Sequence, residues 1–103
     1  MIRAIIRTNM VNAVADGLAE EGLLGMTKTH VFGRGKQKGI QVGEVVYDEL
    51  PKIEIMLVVD DEALEKAVNT IMSISRTGSI GDGKLFVTPV EQVYTVRTGE
   101  PVL

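Results

Sequence analysis

Two short segments, far apart along the chain, hold the residue types that bind anions. The first is Gly33-Arg34-Gly35-Lys36-Gln37-Lys38-Gly39, with three glycines and three cations in seven residues. Glycine lets the backbone approach a ligand closely and turn its N–H groups toward negative charge. Arg34, Lys36 and Lys38 add positive charge, and Gln37 offers a neutral amide. Phosphate or carboxylate is the ligand class this suits; a solvated basic loop is the other reading these residues leave open. The spacing Gly-x-Gly-x-x-x-Gly is not the dinucleotide fingerprint, and no helix is expected after it. The second segment is Gly78-Ser79-Ile80-Gly81-Asp82-Gly83-Lys84-Leu85, which carries the Gly-x4-Gly-Lys skeleton of a P-loop. Leu85 stands where that motif needs a Mg2+-binding Ser or Thr, and the segment leads from helix to strand, the reverse of a P-loop. A P-loop ATPase is therefore excluded. A nest of backbone donors beside Lys84 survives, next to the plainer reading of a helix cap and turn.

Other chemistry has less support. Glu44, Asp48 and Glu49 lie on a loop and read as solvated carboxylates rather than an acid–base pair. His30 stands alone on a strand and reads as structural. Ser73 and Ser75 have no His or Lys partner near in sequence, so no serine nucleophile is expected. Met26, Met56 and Met72 fall at core positions. The chain has no cysteine, which rules out disulfides, thiolate metal sites, iron–sulfur clusters and a cysteine nucleophile.

These segments must be positioned by a small frame. A length of 103 residues predicts one domain, residues 1–103. Apolar residues at 45% and charged residues at 24% are globular proportions, and 4% aromatics without Trp demand an aliphatic core. A net charge of −3 argues against nucleic acid or anionic membrane as a partner. No apolar run approaches the ~20 residues of a membrane span. Met1-Ile2-Arg3-Ala4 lacks a signal-peptide pattern, so a cytoplasmic chain is expected.

Ile2 to Arg7 reads as a strand and Asn9 as a helix N-cap. Val11, Val14, Ala15 and Leu18 share one helical face, and Gly22 is the stop. Met26 to Phe32 is a second strand. Residues 33–50 form a long loop, within which a short hairpin fits between Ile40 and Tyr47. So long a loop in so small a domain is usually functional. From Lys52 to Val59, Ile53, Ile55, Leu57 and Val59 share one face of a strand. Asp60-Asp61 opens a second helix carrying Leu64, Ala67, Val68, Ile71 and Ile74 on one side. Lys84 to Thr88 is a strand, and Val90 to Val96 a short last one. The order suits an α+β, ferredoxin-like βαββαβ sandwich: a mainly antiparallel four-stranded sheet with two helices on one face. The other sheet face carries Ile5, Met56 and Val58 beside Arg3, Arg7 and Glu54, which suggests a subunit interface.

Several segments together resemble the PII family of trimeric nitrogen-regulatory signal-transduction proteins. They are Gly25-Met26-Thr27, Gly33 to Gly39, Leu50-Pro51-Lys52, Arg76 to Val87 and Val96-Arg97-Thr98-Gly99-Glu100, spread over nearly the whole chain. The resemblance implies the same ferredoxin-like fold and a ligand sensor, not a catalyst. It implies ATP or ADP in clefts between subunits, Mg2+, and 2-oxoglutarate as effector ligands. By motif, Gly81, Asp82, Gly83 and Lys84 are expected to hold phosphates, with Gly35 and Lys36 on one side and Arg97 from a neighbouring subunit. Thr27 is expected at the adenine, with Ile5 and Val58 as apolar walls. Gln37 is expected on Mg2+, and Lys52 on a 2-oxoglutarate carboxylate with Arg7 assisting. The family's T-loop, which selects protein partners, falls at about 36–51. It is shorter here than in the bacterial glutamine-synthetase regulators and lacks their uridylylated Tyr position. That shortness resembles the archaeal and anaerobe branch that regulates nitrogenase. A homotrimer or a mixed trimer with a paralogue is implied, with nitrogenase as the target; an ammonium transporter or glutamine synthetase is the alternative. Thr95 replaces a second Arg common in bacterial relatives, and Lys36 replaces a commoner Arg. An acylphosphatase-like or nucleotide-hydrolysing enzyme on the same sandwich would need a positioned base or nucleophile. A ribonucleoprotein-type sheet would need exposed aromatics on its central strands. Residues 53–59 offer no aromatic.

Overall fold

Alternation of apolar residues lays down the sheet. The computed structural model describes residues 1–35, 40–42, 45–47 and 49–103. Strand β1 is Ile2–Ile6, β2 Thr27–Gly33, β3 Ile40–Val42, β4 Val45–Tyr47, β5 Leu50–Leu57 and β6 Gly83–Val87; helix α1 is Val11–Glu20 and α2 Asp61–Ser75. The main sheet runs β2-β5-β1-β6, and all its pairings are antiparallel. This is the ferredoxin-like arrangement expected from the strand and helix order. Ile2, Ala4 and Ile6 of β1 and Ile53, Ile55 and Leu57 of β5 are buried together with Val11, Val14 and Leu18 of α1 and Ala67 and Ile71 of α2. The two central strands β1 and β5 thus give alternate side chains to one aliphatic core, and each helix a stripe of period 3.6. The short hairpin pairs Ile40 with Tyr47 and Val42 with Val45.

Four local expectations change. Asn9 does not cap α1: a 3-10 turn over Thr8–Met10 comes first, and Met10 holds the cap position without a side-chain bond. Met10 packs against the core, so apolar burial decides where the helix begins. The strand around Lys52 starts earlier, at Leu50, and ends at Leu57 rather than at Val59. Pro51 pairs with Phe32 of β2, whereas β1 reaches only as far as Ile53. One side of β5 has no partner strand at Pro51, the setting in which a proline is tolerated. Met72 is 48% exposed, because the helical turn that buries Ile71 carries its neighbour outward. Val90 to Val96 forms no strand; the segment after β6 holds a single bridge between Thr95 and Glu100. Thr88 donates its N–H to Met1 O at 2.9 Å, and Pro89 has no N–H with which to extend a ladder.

Gly22 ends α1 as expected. It has φ 81°, its N–H bonds Ala19 O at 2.9 Å, and Leu23 N–H bonds Leu18 O at 3.0 Å. This is the paired C-terminal closure that a left-handed residue permits.

Among the described residues, no helix or strand covers the sheet face away from the helices. Register places Arg3 and Ile5 of β1, Glu54 and Met56 of β5, and Lys84 and Phe86 of β6 on it. Arg3 and Glu54 form an ion pair at 3.4 Å. Phe86 is 46% exposed.

At the start of β6, Gly83 has φ 109°, and a Cβ there would overlap the carbonyl oxygen of Ile5. Both the dihedral and the close approach to β1 exclude a side chain. Gly83→Ala should therefore lower unfolding stability by about 2 kcal/mol or more, read as a fall in the urea midpoint. An unchanged midpoint would refute this packing.

Candidate functional site

Gly33, where the first glycine segment begins, and Gly81 of the second lie at one end of the sheet, with Lys52 between them. A Cβ on Gly33 would lie 3.7 Å from Lys52 Cγ, and one on Gly81 would lie 3.6 Å from Lys52 Nζ. The ammonium donates a hydrogen bond to the carbonyl of Gly81. Lys52 sits on the uncovered face of β5, yet it is a buried residue. Burial foremost, and the nearby Arg7 guanidinium second, pull its pKa below the ordinary lysine value; Asp82 opposes this in part.

Arg7 leaves the end of β1 on the same side. Its Nη2 donates to Ile80 O at 2.9 Å, and its Nε donates to Asp82 Oδ1 at 3.4 Å. The Nη2–Oδ1 separation is also 3.4 Å. Asp82 is in turn tied to the exit of α2. Its Oδ2 accepts the N–H of Thr77 at 2.8 Å and of Gly78 at 2.9 Å, and its Oδ1 accepts the hydroxyl of Thr77. The Thr77 hydroxyl foremost, then its N–H, the Gly78 N–H and Arg7 hold the Asp82 pKa down, from an ordinary 3.8 to about 2. Residues 77–82 are thereby closed into a turn by one carboxylate, and two cations hold its carbonyls from outside.

The remaining predicted residues fall into four groups. Ile5 is half-buried and directly opposite Lys84 across the β1–β6 ladder, so Lys84, Ile5 and Arg7 share the uncovered face. Gly35 follows the Gly33 end of β2, and both lie toward the Lys52 end. Thr27 pairs with Met56, and Val58 lies just beyond β5. These two are at the other end of the sheet, and the six-residue step from Lys52 to Val58 spans ~20 Å of strand. The segment carrying Arg97 also begins there. A cleft of about 610 Å³ is lined by Val58, Val59, Leu64, Val87, Val90 and Leu103, among others. Arg97 is exposed in a turn closed by Gly99 N–H to Thr95 O at 2.7 Å. Thr95 also donates its hydroxyl to Val102 O at 3.0 Å. Lys36 and Gln37 lie outside the described residues, as do residues 38, 39, 43, 44 and 48 of the expected T-loop.

The sequence reading assigned no role to Thr77. Its signal is a Thr-Gly pair at a helix exit with a carboxylate five residues after the Thr, the pattern of a side-chain-closed turn. Among the described residues, no group of three or more His, Asp or Glu side chains is placed to hold a metal. The Lys52 end fits a polyanion: Arg7 and Lys52 converge there, while the Asp82 carboxylate is spent on donors inside the turn. No helix among the described residues is long and apolar enough to cross a membrane.

Comparison with known proteins covers the whole of this architecture. Residues 1–100 match the family model described as nitrogen regulatory protein P-II. The chain is 54% identical over 103 residues to "Nitrogen fixation nifHD1 region GlnB-like protein 1" of Methanosarcina barkeri, covering 100% of this chain and 98% of that protein. It is 53% identical over 98 residues to "Nitrogen fixation nifHD region glnB-like protein 1" of Methanococcus maripaludis, covering 95% and 93%. A "Nitrogen regulatory protein P-II" of Azospirillum brasilense is 45% identical over 103 residues, covering 96% and 92%.

A carboxylate whose folded pKa is depressed stabilises the fold above its unfolded pKa, and that contribution is lost as pH falls through the folded value. The Asp82 contribution should thus be intact above about pH 5 and vanish toward pH 2. Carbon-detected NMR should give an Asp82 midpoint near 2. A midpoint at the ordinary 3.8 would show that the turn is not closed this way.

Proposed function

The chain belongs to the nitrogen regulatory protein P-II family, and from that membership we propose that it is a non-catalytic sensor of adenine nucleotide and 2-oxoglutarate that regulates nitrogen fixation through protein contacts. The observation that carries this reading is the meeting of Gly33, at the end of β2, and the Gly81 turn at Lys52, with Arg7 adding a second cation. Two cations converging on one glycine turn suit holding a polyanion. In this reading Gly81, Gly83 and Lys84 face the phosphates, with Gly35 and Lys36 flanking them. Lys52 and Arg7 take a 2-oxoglutarate carboxylate, and Gln37 holds Mg2+.

The separation of the two ends of the sheet supports a site completed between copies. Arg97, Thr27 and Val58 lie toward the end opposite Gly81, so one chain supplies two half-sites. The uncovered face bearing Ile5, Met56 and Phe86 offers the apolar surface on which copies would meet. A trimer is the assembly proposed, and the scattering mass in solution should be about three times the 11.2 kDa of the chain. The relatives named for nitrogen-fixation regions favour a nitrogenase component as target. Glutamine synthetase or an ammonium transporter, captured instead from nitrogen-starved cells, would replace that target and leave the sensor reading intact.

Calorimetry tests the sensor. MgATP should tighten 2-oxoglutarate binding, and 2-oxoglutarate should tighten MgATP by the same factor, because coupling is reciprocal. Gln37→Ala should keep ATP binding and lose most of the 2-oxoglutarate response. Equal 2-oxoglutarate affinity with and without MgATP would defeat the proposal.

A further inference from the structure

We propose that Asp82 is a positioning residue of the nucleotide loop: its carboxylate ties Thr77, Gly78 and Arg7 together and presets the Gly81–Lys84 backbone, without itself touching phosphate. The functional half of this inference rests on the nucleotide-binding reading above; the structural half does not.

Four contacts converge on the two carboxylate oxygens. Oδ2 accepts two backbone N–H groups, at 2.8 Å from Thr77 and 2.9 Å from Gly78. Oδ1 accepts the Thr77 hydroxyl and the Arg7 guanidinium. An ionised carboxylate is acceptor-only, with about four lone-pair directions. All are taken by donors of this chain. A carboxylate oriented toward a triphosphate would repel it; one turned inward removes that repulsion and uses the charge to fix the loop.

The geometry gives the loop its shape before any ligand arrives. Helix α2 closes with Arg76 N–H on Met72 O at 3.0 Å. The next two N–H groups would otherwise need water or a ligand, and Asp82 takes both. Gly78, Gly81 and Gly83 all have positive φ, a conformation an unpinned glycine-rich chain would not hold alone. Arg7 bonds the turn at Ile80 O and Lys52 bonds it at Gly81 O. The turn is thus fixed at its helix end by Asp82 and at its sheet end by two cations. Ordering it in the free protein removes a cost that binding would otherwise carry.

Thr77 distinguishes positioning from contact. If Asp82 acts through the turn, removing its partner must mimic removing the carboxylate. Asp82→Asn keeps the shape but presents an amide N–H2 to the donors of Thr77 and Gly78. Thr77→Val removes the hydroxyl donor alone, and Thr77→Ser restores it. Without any nucleotide, amide hydrogen exchange should show Thr77 and Gly78 protected in the native protein and exposed in Asp82→Asn. Undiminished protection there overturns the proposal, whether or not nucleotide binds. With ADP in the absence of Mg2+, Asp82→Asn should weaken affinity roughly ten- to a hundredfold. Thr77→Val should weaken it less, Thr77→Ser should recover it, and the double variant should be no weaker than Asp82→Asn alone. Additive losses, or a loss seen only with Mg2+, would make Asp82 a direct ligand of the bound group and overturn the positioning role. If the native protein binds neither ADP nor ATP, the sensor reading fails, and the exchange result still decides the turn.

Discussion

A lysine ammonium held against a backbone carbonyl organises this molecule. Lys52 lies in β5 beneath the turn that joins α2 to β6, and its head group bonds Gly81 O. Among the described residues it has no carboxylate within ion-pair distance; the ion pairs there are Arg3 with Glu54 and Arg7 with Asp82. A cation withdrawn from water needs compensation, and here dipoles supply part of it while Arg7 works against it. Arg7 and Lys52 face one carboxylate, Asp82, so the cluster keeps an excess of one positive charge. Three parts of the fold set up that imbalance. Strand β1 delivers Arg7, β5 delivers Lys52 beside Gly33, and the α2–β6 turn delivers the carbonyls of Ile80 and Gly81. An incoming anion would meet charge that the fold has already desolvated and oriented.

The sheet then acts as a ruler. Residues two apart on one face of a strand are separated by ~6.6 Å, so the uncovered face of β5 carries Lys52, Glu54 and Met56 in a fixed row. The cationic cluster occupies one end of this row and the chain after Val87 departs from the other. Met1 O takes Thr88 N–H there at 2.9 Å. No rearrangement of rotamers can bring Arg97 from that end to Gly81 unless the chain after β6 is itself redirected. A site that uses both is completed more simply by a neighbour's chain than by a refolded tail. The half-covered apolar residues on the same face make such a neighbour physically reasonable.

Much of the frame is legible in the residues. Ile53, Ile55 and Leu57 alternate, Val11, Val14 and Leu18 recur at helical spacing, and Gly22 follows at the stop; each signal is local and each element forms where it points. What fails is what depends on a neighbour in space. Asn9 has the chemistry of a cap, but Met10 has more to gain from the core. Val90 to Val96 has β-forming composition, but Pro89 and the Thr88–Met1 bond end the ladder first. Of the site, residue type alone pointed to two glycine-rich segments with cations, while Arg7 and Lys52, the cations that meet at Gly81, entered only through the family resemblance. The direction of the Asp82 carboxylate was not readable, because a carboxylate in a glycine-rich loop looks the same in sequence whether it faces a ligand or the loop. Only Thr77, five residues before it at a helix exit, marks the difference, and that mark has meaning once the turn is seen to close.

The donor arithmetic of the cluster shapes how it can respond. Lys52 carries three N–H donors and commits one to Gly81 O; Arg7 carries five and serves Ile80 O and Asp82. Both cations can donate to a ligand oxygen without surrendering the turn. Asp82, already ionised and fully occupied, has nothing to release until strongly acidic pH. An anion arriving under the proposed function would therefore add bonds to a turn that stays closed, tightening it rather than reshaping it. A ligand moves an equilibrium only through differential affinity for two shapes. If the turn stays closed, a response under the proposed function would be carried by chain that shares Lys52 or Arg7 with the ligand but lies outside residues 77–84. A buried, flexible-stemmed lysine suits that office, because its ammonium can be shared between a fixed carbonyl on one side and a movable partner on the other.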